Sequence, residues 1–139
     1  MKIPAWIFLA SLTVAACGGS SGPSSLPQAD ACNQASKAAC AKIYTCESTI
    51  ATSLFGTQDA CVTSILTSCN SGTAGFQCAA TQTYHGDKAE MCKDQFTAMT
   101  CDTLLQTVFP SLGAGVSLGS AFAAITTSIP VCGEICTPP

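Results

Sequence analysis

Eleven cysteines and a single histidine are the residues of this 139-residue chain with the most chemical capacity. His85 stands two residues before Asp87 and serines are plentiful, so a Ser-His-Asp hydrolase can be composed on paper. No G-x-S-x-G elbow for a serine nucleophile is expected, and His85 reads as a solvated turn residue between helices. Zinc would need several well-spaced Cys and His ligands, whereas Cys132-x3-Cys136 is not the C-x2-C knuckle. The C-x2-C of thiol oxidoreductases and the C-x2-C-H of haem attachment are missing too. Glu90 and Asp94 share a helix face beside Lys88 and Lys93, the pattern of a solvated surface. No catalytic residue, metal or cofactor is expected, and the chain does not read as an enzyme.

The cysteines read instead as a framework. Without residues 1–16 the chain has 123 residues, of which Leu, Ile, Val and Phe make up 22, about 18 percent, a thin inventory for a core. Disulfides at about 2–4 kcal/mol each would supply an amount comparable to the whole stability of an ordinary domain. The part beyond residue 16 carries four lysines, no arginine and eight acids. Nucleic acid is excluded as a partner, because phosphate binding needs clustered Lys or Arg.

The N-terminus explains why the cysteine count is odd. Lys2 followed by the apolar run Ile3–Val14 has the layout of a signal peptide over residues 1–16, too short to span a bilayer as a mature helix. The run ends in Val14-Ala15-Ala16-Cys17, which resembles the lipobox of bacterial lipoproteins. That resemblance implies a diacylglycerol on the Cys17 sulfur, cleavage before Cys17 and a third acyl chain on the freed amine. It covers about the first twenty residues and carries over Cys17 alone. Gly18 in the next position leans toward outer-membrane sorting. Setting Cys17 aside leaves ten cysteines, an even number suited to an oxidising compartment: Cys32, Cys40, Cys46, Cys61, Cys69, Cys78, Cys92, Cys101, Cys132 and Cys136. Residues 17–29 are the lipidated cysteine and a charge-free Gly/Ser/Pro tether of roughly 20 Å average reach. The domain proper is expected over 30–139.

That domain reads as all-α, a small disulfide-stapled bundle of four to five helices. Asp30 is placed to cap a first helix over 31–47, with Cys32, Ala35, Ala39, Ile43 and Cys46 on its inner face. Residues 48–55 read as a Ser/Thr-rich connection ending at Gly56. Thr57 caps a second helix with Cys61 or Val62, Ile65, Leu66 and Cys69 inward, closed by Asn70-Ser71-Gly72. Phe76 and Cys78 mark a short helix within 73–84. Asp87 with Glu90 has capping-box spacing for a helix over 88–100 carrying Cys92, Phe96 and Met99. Asp102 caps a further one over 103–109, stopped by Pro110. Cys46, Cys61, Cys69 and Cys78, Cys92, Cys101 each span 23 residues, a faint repeat that suggests two hairpins tied by equivalent bridges. Ten cysteines allow roughly 945 pairings, and spacing selects none.

From Thr103 to Val131 there is no charge, and Leu118, Phe122, Ile125 and Ile129 recur at helical spacing up to Pro130. Gly113, Gly115 and Gly119 dilute this segment too far for a membrane span, and Gly115-x3-Gly119 reads as close helix packing. The segment either completes the core or lines a pocket made by Leu104, Leu105, Val108, Leu118, Phe122 and Ile125, suited to an acyl chain or sterol. The Arg-free, cysteine-stapled helical composition is loosely similar to elicitins and plant lipid-transfer proteins, which implies such a carrier role. The adjacent Cys-Cys of lipid-transfer proteins is absent, so no binding residue carries over. Two functions are therefore expected: a membrane-anchored interaction or structural module of the cell envelope, meeting an envelope protein, or a carrier of a small apolar ligand.

Overall fold

The structure is a computed structural model that describes residues 24–72, 75–112 and 118–139, without the side chains at 108–112 and 118. Its helices are α1 (Gln28–Cys46), α2 (Ser48–Phe55), α3 (Gln58–Asn70), α4 (Gly86–Ala98), α5 (Cys101–Leu112) and α6 (Leu118–Ser128), followed by a 3-10 turn at Pro130–Glu134. The only strands among the described residues, β1 (Thr83–Tyr84) and β2 (Cys136–Thr137), pair antiparallel with Thr83 opposite Thr137. The fold is all-α and stapled by five disulfides, with six helices among the described residues where about four to five were expected.

α1 starts two residues ahead of Asp30. The amides of Asp30 and Ala31 both donate to the Pro27 carbonyl, so the first turn closes on Pro27 and Asp30 sits inside it, an acid at the positive end of the helix dipole. The buried face is Ala31, Cys32, Ala35, Ser36, Ala39, Cys40 and Ile43, a stripe of small residues that lets neighbours come close. Within it, Ser36 Oγ has no hydrogen-bond partner among the described residues. The fold also reaches back further than the expected tether boundary. Leu26 is 3 % exposed, its amide donates to the Gly86 carbonyl at 3.1 Å, and its carbonyl accepts from the Tyr84 hydroxyl at 2.8 Å. Residues 26–29 therefore belong to the domain.

The expected connection over 48–55 is a helix. Glu47, at φ −147 and ψ 66, breaks α1 from α2, Ala51 is fully buried, and the Tyr44 hydroxyl donates to the Ala51 carbonyl. One buried alanine and a tertiary contact outweigh the weak helix propensity of Ser and Thr. Gly56, at φ 73, stops α2 in the left-handed region that glycine alone enters freely, and the Thr57 side chain caps α3 through the Ala60 amide. α3 buries Cys61, Ile65 and Cys69 as expected, with Val62 and Leu66 half-buried.

Among the described residues of 73–84 no helix forms. Phe76 is buried to 1 % as expected, but it is held by stacking on Phe122, with ring centroids 6.3 Å apart, in a stretch of bends and turns; residues 73 and 74 lie outside the described residues. α4 begins at Gly86, with His85 at the cap position, so Asp87 is a first-turn residue and the Asp87/Glu90 box does not form. The N-terminal strap passes close to this helix start, and a Cβ built on Gly86 would fall on Ser25 Oγ and the Leu26 carbonyl. α5 is capped by Thr100, whose hydroxyl accepts from the Thr103 amide, rather than by Asp102, and it continues past Pro110 to Leu112. In α6, Phe122 and Ile125 face inward, as does Ile129 just beyond it, and Pro130 opens the 3-10 turn.

Candidate functional site

The cystine network is the most organised group of reactive atoms in the fold. α1 and α3 each present two cysteines eight residues apart, and they pair as an antiparallel ladder, Cys32 with Cys69 and Cys40 with Cys61. All four sulfurs lie in the core. In the second half Cys92 pairs with Cys132 and Cys78 with Cys136, so the C-terminal turn is tied back to the body as expected. Cys46 pairs with Cys101 and links the two halves.

The expected repeat is overturned by this pairing, because Cys46 and Cys101, the first member of one set and the last of the other, bond to each other. A different regularity replaces it. Cys32, Cys40, Cys46, Cys61 and Cys69 pair outer with outer and inner with inner, leaving the middle one free; Cys78, Cys92, Cys101, Cys132 and Cys136 do the same. The two middle cysteines make the joining bridge. All five pairs have Cα separations of 5.0–5.9 Å, within the ordinary range for cystine. The bridges at Cys46–Cys101 and Cys78–Cys136 are half-buried and are the ones within reach of a reductant.

His85, Lys42, Lys88, Lys93 and Tyr84 are engaged in structure. His85 Nε2 lies 2.8 Å from Thr137 Oγ1 and the His85 amide donates to Ile135, which fastens the ribbon to the start of α4. Two G-x-S-x-G strings do stand in the chain, at Gly18–Gly22 and Gly115–Gly119, and of their residues only Gly119 is described beyond its backbone. Neither directly follows a strand among the described residues; α5 precedes the second. A Cβ built on Gly119 would fall on Ser68, so this glycine lets α6 press against α3, the close packing expected of it.

Lys93 bonds Glu90 at 2.5 Å, and Lys88 bonds Glu134 at 2.8 Å. Each of these hydrogen bonds holds its lysine above the ordinary value. Lys42 donates to the Thr97 carbonyl and so satisfies the C-terminal end of α4. The Tyr84 phenol is raised, first by burial and then by the charge of Glu90. Among the described residues no group of three or more His, Cys, Asp or Glu side chains could hold a metal ion.

The six apolar candidates divide. Leu104, Phe122 and Ile125 are 1–3 % exposed members of the core, with Phe122 between Phe76 and Phe96; Leu105 is half-buried; Val108 and Leu118 lie outside the described side chains. Three open grooves lie elsewhere, along α1 near Lys37, between α1 and α4 near Lys42 and Lys93, and at the α4–α5 corner near Met99. None of these three is lined by Leu104, Leu105, Phe122 or Ile125. The strap at Leu26 and the pairing of Cys46 with Cys101 are the features that sequence reasoning missed. Leu26 is the one aliphatic residue in an otherwise small and polar run, a signal that could have marked it.

Cys17 lies outside the described residues. No helix among those described is long and apolar enough to cross a membrane. Fold and bridges together define a cysteine-rich, disulfide-stapled all-α domain. No family model matches the chain, and neither does any curated protein or solved structure.

Proposed function

We propose that this chain is an exported bacterial lipoprotein, held to the cell envelope by acyl chains on Cys17, whose stapled domain serves as a rigid, non-enzymatic interaction or structural module. The observation that carries this reading is the cysteine balance. All ten cysteines from Cys32 to Cys136 are used in five bridges, which leaves Cys17, at the lipobox-like Val14-Ala15-Ala16-Cys17, as the odd one. Disulfides persist in oxidising compartments, and the outer membrane is the site toward which Gly18 leans. Several acyl chains on one residue would hold the protein stably, where one chain would not.

The test is metabolic labelling with an alkyne fatty acid followed by detergent phase partitioning. The wild-type chain should carry label and enter the detergent phase, and Cys17→Ala should lose both. Trp6 is the only tryptophan, so the mature protein should also lack indole emission. An unlabelled, wholly aqueous wild-type protein with a free Cys17 thiol would falsify the reading.

A further inference from the structure

The strap at Leu26 fixes where the anchor enters the fold. From there α1 runs 19 residues, about 28 Å of helix, to Cys46. α3 returns beside it, with Cys61 next to Cys40 and Cys69 next to Cys32. α4 runs parallel to α1, because Gly86 bonds Leu26 at one end and Thr97 accepts from Lys42 toward the other. The domain therefore has two poles. One holds Leu26, the β1–β2 ribbon and the starts of α1 and α4; the other holds α2 and the Cys46–Cys101 bridge.

Nine Cα steps separate Cys17 from Leu26. They reach at most about 32 Å fully stretched, and about 17 Å as the random-coil average for nine steps. That average is well short of α1 alone. Resting the α2 pole on the headgroups would require the connection to run the whole length of the molecule near its limit, at a large entropic cost. We infer that, in the lipidated protein, the ribbon pole faces the bilayer and α2 is presented away from it. This orientation rests on the anchoring reading and adds to it the surface that meets lipid.

Charge does not draw this pole into the lipid. Asp30 and Asp87 stand in the first turns of α1 and α4 at the ribbon pole, and Lys88 there is paired with Glu134, so the length of the connection, not attraction to headgroups, sets the orientation. The exposed aliphatic side chains of α2, Ile50 at 39 % and Leu54 at 51 %, are at the other end, beyond the average reach of the tether to lipid.

The experiment uses the full chain with Trp6→Phe as background, matured in a bacterial host and reconstituted into vesicles containing phosphatidylethanolamine dansylated on its headgroup. Thr83→Trp places an exposed donor at the ribbon and Leu54→Trp one on α2. Energy transfer to the headgroups should be several-fold greater for Thr83→Trp. Equal transfer, or greater transfer from Leu54→Trp, in protein that floats with the vesicles overturns the orientation while leaving the anchor intact. Failure of both proteins to float removes the anchoring reading and the orientation with it. If either variant melts lower than its background, Thr81→Trp and Ile50→Trp, both at exposed positions, must give the same order.

Discussion

The halves spanning 32–69 and 78–136 share one cystine connectivity and use it to different ends. In the first, the bridges close 21 and 37 residues and join two helices that carry their sulfurs in register, so the staples themselves define an antiparallel hairpin. In the second, they close 40 and 58 residues and end in a 3-10 turn and a two-residue strand, so the staples hold a chain end rather than a helix pair. Between these anchors α6 is placed by packing: Phe122 on Phe76 and Phe96, and Gly119 against Ser68 of the first hairpin. Identical bonding patterns therefore do not imply identical folds. Register within the helices decides whether a cross-link builds structure or only tethers it.

The sharpest way to break this comparison is to remove both bridges of one half. Replacing Cys32, Cys40, Cys61 and Cys69 by Ala should cost about 2–5 kcal/mol for each bridge, enough to abolish cooperative melting in a domain of ordinary stability, about 5–15 kcal/mol. Cys78→Ala with Cys136→Ala should leave a cooperative transition at lower temperature. With Cys92–Cys132 intact, the outer bridge closes only the 14-residue step from Cys78 and the 4-residue step to Cys136. Graded reduction followed by alkylation and mass mapping should open Cys46–Cys101 and Cys78–Cys136 first. If the buried hairpin bridges open first, the contrast drawn here is wrong.

Phe122→Ala is the next largest change, and it acts on the second half through packing alone. A loss of about 3–5 kcal/mol is expected from denaturant unfolding, with no gain or loss of fatty-acid binding. A stability change below that range together with diminished uptake of a fluorescent fatty acid would return Phe122 to a ligand pocket.

The smallest effect sharpens the join between the strap and the second half. Tyr84→Phe removes the hydroxyl's bond to Leu26 and should cost about 0.5–1.5 kcal/mol at neutral pH. Because folding raises the phenol, its contribution is intact below the ordinary value of about 10 and is lost as pH rises through the folded-state value. Lys93, raised by Glu90, loses its contribution in the same direction and a similar window. The melting temperature of the parent should therefore fall above about pH 10, and Tyr84→Phe should flatten part of that fall. An unchanged alkaline profile would mean that the strap does not depend on this bond.

The sequence by itself determined what is local. Apolar and cysteine spacing along α3 and the Thr57 cap are each set within a few turns of chain, and each stands in the structure as expected. Only the tertiary structure decided which sulfurs meet, because pairing requires Cα atoms within about 4.4–6.8 Å of one another and residues as distant in sequence as Cys46 and Cys101 reach that distance only after the helices have packed. The same holds for α2, where Ala51 is fully buried and its carbonyl accepts from Tyr44, and for Leu26, whose polar backbone is satisfied by Gly86 and Tyr84 some sixty residues away. Ser and Thr propensity or a Gly/Ser/Pro composition cannot report such contacts, since the energy that decides them comes from surfaces brought together by the rest of the fold.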